Sequence, residues 1–322
     1  MNLLELEDIK KNFRIVKIEN NNAYLKLHRG RYIIKVAIPF KTDEKLASLF
    51  GHILGDGCIK SKEGNIYYTN KSKDLIDEFK AIIEELFGIE PKTNFNQKRR
   101  FYEVYPPKTI ARFLVLCGFP KGPKTEQIIT IPSWIKEGSK EVKASFVRAL
   151  FDDEGTVINS KRNFVISFGM NKQKLLLESH KVFMKDIRQI LISLEIFPNE
   201  VFERKQPKEA TQLGFHIYKR YNLIKFLQNV GFTDNKKQQK LITAINSYKT
   251  YGRYETKMRI LDALKTKGKL RTKDLSLIVN RDRKVIWKNL HKLSQEGLLK
   301  KILVSKKGTI ERVFWELNNL NS

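Results

Sequence analysis

The chain has 322 residues, 41% hydrophobic and 30% charged, with a formal net charge of +27. This length allows two or three folded domains, and so basic a composition predicts a polyanionic partner, for which nucleic acid is the first candidate. No long uncharged apolar run or secretory signal is evident, and Cys58 and Cys117 suggest neither a disulfide framework nor a zinc site, so we expect a cytoplasmic, intracellular protein associated with DNA.

The first 40 residues are predicted to form a small β extension. Two runs, at 14–18 and 31–36, alternate apolar and polar residues, and a polar cluster at 19–22 follows the first run. Pro39 ends this segment. We expect the extension to cover the body of the protein and not to read DNA independently.

An apolar helix with an acidic end is predicted next. Asp43 and its neighbours supply the N-cap and first-turn charge, and the stretch 46–57 ends at Asp56 followed by Gly57, a residue that terminates helices readily. Small residues recur at i, i+4 and i+8, which places them on one helical face. These residues are Ala47, Gly51 and Gly55.

Two hairpins and two helices are predicted between this helix and the middle of the chain. The predicted elements are strands 58–60 and 66–69, helix 75–87, strands 93–96 and 101–105, and helix 109–117. The tip of the second hairpin is basic, with Lys98, Arg99 and Arg100. Residues 121–138 contain proline and glycine and are predicted to be a linker.

A second apolar helix, residues 143–155, repeats the first at a constant offset. Asp56 falls on Glu154, since 154 − 56 = 98, and Gly51 falls on Ala149. Small residues on one face allow two helix backbones to approach closely, so we expect the helices to pack side by side about a pseudo-twofold axis. Both carboxylates would then lie at the same end of the interface. Paired carboxylates bind divalent metal ions, which assist the cleavage of phosphodiester bonds.

The segments 51–57 and 148–155 resemble the two motifs of single-chain LAGLIDADG (dodecapeptide, DOD-type) homing endonucleases. The resemblance implies an α+β fold with duplicated αββαββα repeats, a monomer with internal pseudo-twofold symmetry, and four-stranded sheets that form a saddle along the DNA major groove. The predicted domains are an N-terminal extension at 1–40, a first repeat at 41–120, a linker at 121–138, a second repeat at 139–250 and a C-terminal domain at 251–322.

The second half repeats the order of elements in the first. The predicted elements are strands 156–158 and 164–168, helix 174–194, strands 200–204 and 215–218, and helix 222–230. The last helix is followed by Gly231 and Phe232, as the helix of the first half is followed by Gly118 and Phe119. No splicing blocks flank the repeats, so we expect a free-standing protein and not an intein.

The C-terminal segment resembles a winged helix-turn-helix. Three short apolar-striped helices precede two β runs at 302–304 and 312–315. The charge of residues 255–322, 17 Lys and Arg minus 7 Asp and Glu, is +10, which favours contact with DNA over contact with protein alone. The basic residues expected on its third helix are Arg281, Arg283, Lys284, Lys288 and Lys292.

The resemblance also implies a set of site residues. Asp56 and Glu154 are the predicted catalytic and metal-binding acids, with Gly55 and Asp153 as further ligands of Mg²⁺ (or Mn²⁺). Asp153 departs from the family, which usually has a small residue there, and a carboxylate on a packing face is costly unless it is bonded. The predicted catalytic cations are Lys71 in the first half and, in the second, Lys172, with Asn171 as its alternative. His52 is predicted to be a packing residue and not a base.

Outward-facing strand residues and basic tips are the predicted contacts to double-stranded DNA. In the repeats these are Lys60, Lys62, Tyr67, Thr69, Lys98, Arg99, Arg100, Asn159, Lys161, Arg162, Ser167, Arg204 and Lys219. The hairpin tip at 98–100 is expected to hold phosphates rather than bases.

Two functions are compatible with these features. The first is a Mg²⁺-dependent, site-specific double-strand DNA endonuclease. The second is a binder that does not cut, either a DNA-binding regulator with a helix-turn-helix or an RNA-binding maturase. Binders of this type tend to lose the motif acids, and the presence of both Asp56 and Glu154 favours the enzyme.

Overall fold

The computed structural model describes residues 2–61, 64–160, 163–205, 210–247, 253–306 and 309–318. The chain divides into a larger compact unit that ends at Ile245 and a smaller one from Asn246 onward, and each is described by itself. Within the described residues, we find no helix that is both long and apolar enough to cross a membrane.

The N-terminal extension is a small β structure, as predicted, with four elements that the sequence pattern did not indicate. Its elements are β1 (Asn2–Leu4), α1 (Leu6–Lys10), β2 (Arg14–Glu19), β3 (Asn22–Lys26), β4 (Ile33–Ala37) and β5 (Phe40–Lys41). Strands β2, β3 and β4 form an antiparallel sheet, and β1 pairs with β5. The unpredicted elements are helix α1 and the strands β1, β3 and β5. Strand β3 directly follows the tight turn at Asn20 and Asn21, both with positive φ, so the polar cluster joins two strands.

The first repeat has the predicted αββαββα order. Its elements are α2 (Glu44–Leu54), β6 (Gly57–Ile59), β7 (Ile66–Asn70), α3 (Lys73–Phe87), β8 (Lys92–Asn96), β9 (Phe101–Tyr105) and α4 (Lys108–Leu116). Asp43 caps α2 by accepting a hydrogen bond from the Leu46 amide at 2.8 Å. The strands form an antiparallel sheet in the order β6-β7-β9-β8, and α3 and α4 both contact it.

The second repeat has the same order and the same sheet topology. After two short helical segments, Lys124–Glu126 and α5 (Ser133–Lys136), it consists of α6 (Lys140–Glu154), β10 (Gly155–Ser160), β11 (Asn163–Gln173), α7 (Leu177–Ser193), β12 (Phe202–Lys205), β13 (Ala210–Ile217) and α8 (Arg220–Asn229). The sheet order is β10-β11-β13-β12. Helix α7 begins three residues later than the predicted start at 174, because Lys174–Leu176 form a 3₁₀ turn before it. A further helix, α9 (Asn235–Ser247), completes the larger unit.

The two motif helices, α2 and α6, pack against each other along the predicted stripe of small residues. A Cβ atom added to Gly51 would lie 2.7 Å from the carbonyl oxygen of Phe146 and 2.8 Å from the Cβ atom of Ala149. One added to Gly55 would overlap the side chain of Asp153. The offset of 98 residues therefore describes true neighbours, and the backbones are so close that Gly51 and Gly55 leave no room for a side chain.

The smaller unit contains three helices and a two-stranded sheet, also as predicted. Its elements are α10 (Arg253–Lys267), α11 (Thr272–Ile278), α12 (Arg283–Gln295), β14 (Leu299–Lys306) and β15 (Thr309–Leu317). Its core joins all three helices to the sheet through Ile260, Leu264, Leu275, Ile286, Leu290, Leu299 and Trp315. Trp315 also donates a hydrogen bond from its indole nitrogen to the Thr272 hydroxyl at 3.2 Å.

Candidate functional site

Asp56 directly follows the C-terminal end of α2 and is the centre of the candidate site. It is exposed, and its Oδ2 accepts a hydrogen bond of 2.9 Å from the side-chain amide of Asn70, the last residue of β7. Although part of Asp56 is open to solvent, the surrounding protein desolvates its carboxylate, and this desolvation and the nearby negative charges of Asp153 and Glu154 raise the pKa of Asp56 to about 7. The two motif helices thus bring three carboxylates into mutual electrostatic contact, as the pseudo-twofold arrangement predicts.

Asp153 is fully buried and bonded on both carboxylate oxygens. Its Oδ1 accepts hydrogen bonds from the Tyr68 hydroxyl at 2.6 Å and from Asn70 at 3.2 Å. Its Oδ2 lies 3.1 Å from Nδ1 of His52 and accepts a 3.3 Å hydrogen bond from the Asp56 amide. A carboxylate offers about four acceptor positions, so in this arrangement Asp153 has none left for a metal ion. The predicted departure from a small residue is therefore accommodated by hydrogen bonds.

His52 has no exposed side-chain surface and is more than a packing residue. Besides Asp153, it faces Glu78 of α3, with Nε2 and Oε2 3.5 Å apart. Burial alone would lower the pKa of His52, but the negative charges of Asp153 and Glu78 raise it to about 10. The imidazolium form therefore balances the buried carboxylate between the two helices.

Glu154 ends α6 and has a different environment. Burial raises the pKa of its carboxyl group, and the positive charge of Lys124 opposes that shift. Within the described part of the chain, its carboxylate accepts no hydrogen bond. The ammonium group of Lys124 donates hydrogen bonds to the carbonyls of Leu54 (2.9 Å) and Gly55. The Gly55 carbonyl, predicted as a metal ligand, is therefore already bonded to a lysine.

A second lysine, Lys237, occupies the matching place at the end of α6. It donates hydrogen bonds to the carbonyls of Asp152 and Gly155, the latter at 2.6 Å. Burial lowers the pKa values of Lys124 and Lys237, and the surrounding carboxylates partly offset this in both cases. Each motif helix thus ends on a partly buried ammonium group, where the helix dipole favours a cation.

Asp152 anchors the chain segment that carries Lys237. Its buried carboxylate accepts hydrogen bonds from the amides of Thr233 (2.9 Å) and Asp234 (3.1 Å), just before α9. Burial raises its pKa to about 7, although these two hydrogen bonds oppose the shift. Asp152 therefore holds the segment before α9, and Asp153 bonds to the first repeat. Among the described residues, none donates a hydrogen bond to the carboxylate of Glu154.

Lys71 and Lys172, the other two predicted catalytic cations, lie in different surroundings. Lys71 is exposed and lines a cavity of about 640 Å³ that also includes Asp56, Asn70 and Lys237. Lys172 is 2% exposed, donates a hydrogen bond to the Lys124 carbonyl, and has its pKa lowered to about 8 by burial and by the charge of Lys124.

The same strand distinguishes the two alternatives for the second half. Asn171 is exposed on β11, whereas the next residue points into the protein, so Lys172 is the one directed toward the site.

Most predicted DNA contacts that the structure describes are at least partly exposed. Exposed residues of the larger unit are Lys60, Lys98, Arg99, Arg100, Arg204 and Lys219, and Tyr67, Thr69 and Ser167 are half-buried. On α12 of the smaller unit, Arg283, Lys284, Lys288 and Lys292 are exposed, and Arg281 just before it is half-buried. Lys62, Lys161 and Arg162 lie outside the described residues, as does the side chain of Asn159.

Lys124, Lys237 and Asn70 are site residues that the sequence analysis did not single out for this role. The two lysines have a common signal in the sequence. Lys124 comes six residues after Gly118, and Lys237 comes six residues after Gly231, the glycine of the matching Gly-Phe pair. The internal repeat would therefore have identified both lysines if the comparison had been continued past the last helix of each half.

Comparisons with known proteins agree with this architecture. A family model described as a LAGLIDADG-like domain matches residues 43–118 and 141–231. The tRNA-splicing ligase RtcB of Methanopyrus kandleri is 26% identical over 209 residues, which is 58% of this chain but 20% of that protein, so the chain spans about a fifth of this relative.

Two solved structures are similar at low identity. The crystal structure of I-DmoI in complex with DNA and Mn has 18% identity and a TM-score of 0.38, covering 58% of this chain and 96% of that one. Full-length WhiA from Thermotoga maritima has 13% identity and a TM-score of 0.42, covering 80% of this chain and 93% of that one.

Proposed function

The chain belongs to the LAGLIDADG-like family, and from this premise we propose that it is a site-specific, divalent-metal-dependent endonuclease for double-stranded DNA. The observation that carries this proposal is the shared end of the two motif helices. There, Asp56 and Glu154 are electrostatically coupled, and each helix end binds a partly buried lysine. Two acids and two cations arranged with pseudo-twofold symmetry match a substrate with two antiparallel strands to cut.

The donor set is suited to Mg²⁺ or Mn²⁺. Asp56 and Glu154 offer hard oxygen ligands. Desolvation, followed by repulsion from Asp153 and Glu154, raises the pKa of Asp56, and a bound dication would relieve that repulsion. Among the described residues, no group of three or more His, Cys, Asp or Glu side chains is placed to hold a metal by itself. Mg²⁺ is commonly bound through one or two carboxylates plus substrate phosphates and water, so the DNA would complete the site.

In this mechanism the protein holds the reacting groups and balances charge. A divalent ion, when bound, polarises water and stabilises charge on the scissile phosphate. Asp56 and Glu154 would each hold one such ion, and Asn70 orients the Asp56 carboxylate. Lys124 and Lys237 would stabilise the negative charge that develops on the phosphate during attack. Because the acids lie on opposite sides of a pseudo-twofold axis, the two cuts are expected to be staggered.

The surface of the larger unit supports DNA binding along the two four-stranded sheets. Basic and aromatic side chains alternate there, such as Lys60 with its ammonium group 5.7 Å from the Tyr67 ring and Arg204 5.8 Å from the Phe202 ring. The exposed tip at 98–100 would hold phosphates. These contacts would give binding a steep dependence on salt.

The smaller unit is, in this proposal, a winged helix-turn-helix that adds DNA contacts. Helices α11 and α12 would be the helix-turn-helix, and β14 and β15 the wing. The N-terminal half of α12 exposes Arg283, Lys284 and Lys288, which suits a helix that enters the major groove.

The test is cleavage of a randomised duplex library by the full-length protein with Mg²⁺, followed by sequencing of the cut ends. We expect staggered double-strand breaks at one recurrent sequence. The matched control is the double variant Asp56→Asn/Glu154→Gln, which keeps the shape of both side chains and should leave the library intact. A wild-type protein that leaves every duplex uncut with both Mg²⁺ and Mn²⁺ would contradict the proposal.

One observation favours a second function, a DNA-binding regulator that does not cut, or an RNA-binding maturase. Lys124 and Lys237 already place two positive charges beside the carboxylates, so the site is partly neutralised without a metal ion. Tight, Mg²⁺-independent selection of one duplex from the same library, with no cut ends, would support the regulator. Preferential retention of structured RNA would support the maturase.

A further inference from the structure

Two residues depart from the small or apolar pattern of the motif helices, and they meet each other. His52 lies in α2 and Asp153 in α6, and neither side chain has any exposed surface. Their Nδ1 and Oδ2 atoms are 3.1 Å apart across the helix interface. A buried charge without a partner is strongly unfavourable, so each residue makes the other tolerable at this position.

The pair continues into the candidate site through Asn70. The Nδ2 atom of Asn70 lies 3.2 Å from Asp153 Oδ1 and 2.9 Å from Asp56 Oδ2, so one amide group joins the two carboxylates. The other end of that amide is also held, because its Oδ1 accepts a 2.9 Å hydrogen bond from the Ser72 amide. With both ends bonded, Asn70 cannot rotate without breaking a hydrogen bond to Asp153, Asp56 or Ser72.

Asp153 also holds Asp56 from two further directions. It accepts the hydrogen bond of the Asp56 backbone amide at 3.3 Å, and it accepts the Tyr68 hydroxyl at 2.6 Å, on the strand that carries Asn70. The backbone and the carboxylate of Asp56 are therefore both tied, directly or through one residue, to a carboxylate of the other repeat.

The other half of the site has no equivalent. Glu154 accepts no hydrogen bond from the described residues, and the side chain facing inward at the end of β11 is Lys172, which donates to a backbone carbonyl of Lys124. The residue of α2 that matches Asp153 is Gly55, which has no side chain to reach across. The anchoring is thus confined to the Asp56 half.

We propose that Asp153, held in place by His52, is a positioning residue for Asp56 alone, so that the cuts in the two DNA strands depend on different residues. This inference rests on the proposed nuclease function. It assigns to the second motif a residue that controls the acid of the first. Without Asp153 the Asp56 carboxylate loses its fixed orientation, and the protein becomes predominantly a nicking enzyme.

The test compares cutting rates of the two strands in a target duplex that carries a different label on each strand. The strand whose cutting depends on Asp56 is identified as the one that Asp56→Asn leaves uncut. In Asp153→Ala, cutting of that strand should fall about 10- to 100-fold, because catalysis is sensitive to displacements near 1 Å, while the other strand changes much less. Equal slowing of both strands would overturn the proposal.

A double variant keeps the test interpretable if Asp153→Ala does not fold. In His52→Leu/Asp153→Ala the two partners are removed together, so neither stays buried without the other, while Asn70 is still released. Glu78, which faces His52 in the wild type, keeps 22% of its side chain exposed to solvent. The matched control is Val147→Ala, at a buried residue of α6 whose side chain has no polar atom to bond with Asn70. It creates a cavity in the same helix and should slow both strands to the same extent, if at all.

A second measurement separates failure of this inference from failure of the nuclease proposal. The side-chain amide signal of Asn70 is followed by NMR in the ¹⁵N-asparagine-labelled full-length chain and assigned by its loss in Asn70→Ser. The inference expects this signal to shift and its protons to exchange faster in the double variant, but not in Val147→Ala. An unmoved signal would overturn the inference, whether or not the wild-type protein cuts DNA.

Discussion

The two repeats of the larger unit have the same element order and sheet topology, but their buried histidines have different surroundings and pKa values. In the first repeat, His52 is buried between Asp153 and Glu78 and has its pKa raised to about 10. In the second, His180 is buried against Phe183 near Lys172, and its pKa is lowered to about 4. The duplication thus preserved the backbone, while the side chains diverged into a charged half and a half with a neutral histidine.

This difference shows what the pseudo-twofold axis constrains. The lysines at both helix ends require the same geometry in each half and are present twice, whereas the close contact between Gly51 and Ala149 joins the two halves to each other. The side chains around the two carboxylates differ between the halves, and one of these differences, the His52–Asp153 pair, lies in the helix interface itself. The symmetry therefore holds for the backbone and for the two lysines, and it is relaxed in the network around each acid.

The largest expected effect comes from removing one acid at a time. Asp56→Asn and Glu154→Gln should each reduce cutting of a single strand by about 100-fold or more, since each removes a charged group that would hold the metal ion at one phosphate. DNA binding should persist. The measurement is strand-resolved cleavage, with binding followed in Ca²⁺. If either variant slowed the cutting of both strands to the same extent, the proposed assignment of one acid to each strand would be wrong.

The lysines offer the next largest effect and the sharpest test of the symmetry. Lys124→Met and Lys237→Met should each slow cleavage about 10- to 100-fold, because each removes a positive charge beside the reacting phosphate. Among the nearby carboxylates, Glu154 has the largest effect on Lys124, whereas Asp152 and Asp153 have the largest effects on Lys237, so we expect opposite strands to be affected. Lys236→Met, at an exposed neighbouring position, is the control. If both lysine variants slowed the same strand, the two lysines would not be equivalent under the pseudo-twofold axis.

The helix interface should be less tolerant than any surface of the repeats. Gly51→Leu is expected to destabilise the larger unit by about 1 to 3 kcal/mol or more, because even a Cβ atom there lies 2.7 Å from the Phe146 carbonyl oxygen. Urea denaturation gives the free energy of unfolding. The control is Ala210→Leu, at the partly exposed start of β13. Gly64→Leu would not serve, because Gly64 has a positive φ that a leucine would strain. A wild-type melting curve for Gly51→Leu would contradict the close packing.

The features that could be predicted from the sequence are those set by residues close together in the chain. The offset of 98 residues predicted the Gly51–Ala149 contact, because helical periodicity alone decides which side chains share a face. The alternation along β11 likewise decides between Asn171 and Lys172 once the strand is known. The two repeats, with their strand and helix order, followed from such local patterns.

The parts that escaped prediction depend on contacts between distant segments. The bond between His52 and Asp153 requires the rotation of one helix relative to the other, and no local pattern gives that angle. Lys124 and Lys237 reach the helix ends from chain segments outside the motifs. Asp152 binds the amides of Thr233 and Asp234, which lie 81 and 82 residues further along the chain. Strand β3 was missed because a two-asparagine turn resembles a loop.

The smallest expected effect concerns pH and compares the two buried histidines. With a pKa near 4 in the folded protein and 6.5 when unfolded, His180 binds more protons in the unfolded state between these values. Titration of His180 therefore does not lower the free energy of unfolding above pH 6.5, and it lowers that free energy progressively as the pH falls toward 4. His52, whose pKa is raised, has the opposite sign and keeps its contribution at low pH.

The corresponding experiment uses His180→Phe, which fills the site beside Phe183 with a ring that cannot titrate. Between pH 7 and pH 5 the wild-type protein should lose about 2 kcal/mol more of its unfolding free energy than the variant does. Taking the difference between the two proteins cancels the contribution of the carboxylates, which titrate in both. Parallel stability curves would mean that His180 gains a proton in the folded state as readily as in the unfolded one. In that case the second half would hold a charged histidine as the first half does, and the contrast between the two repeats would be confined to their acids.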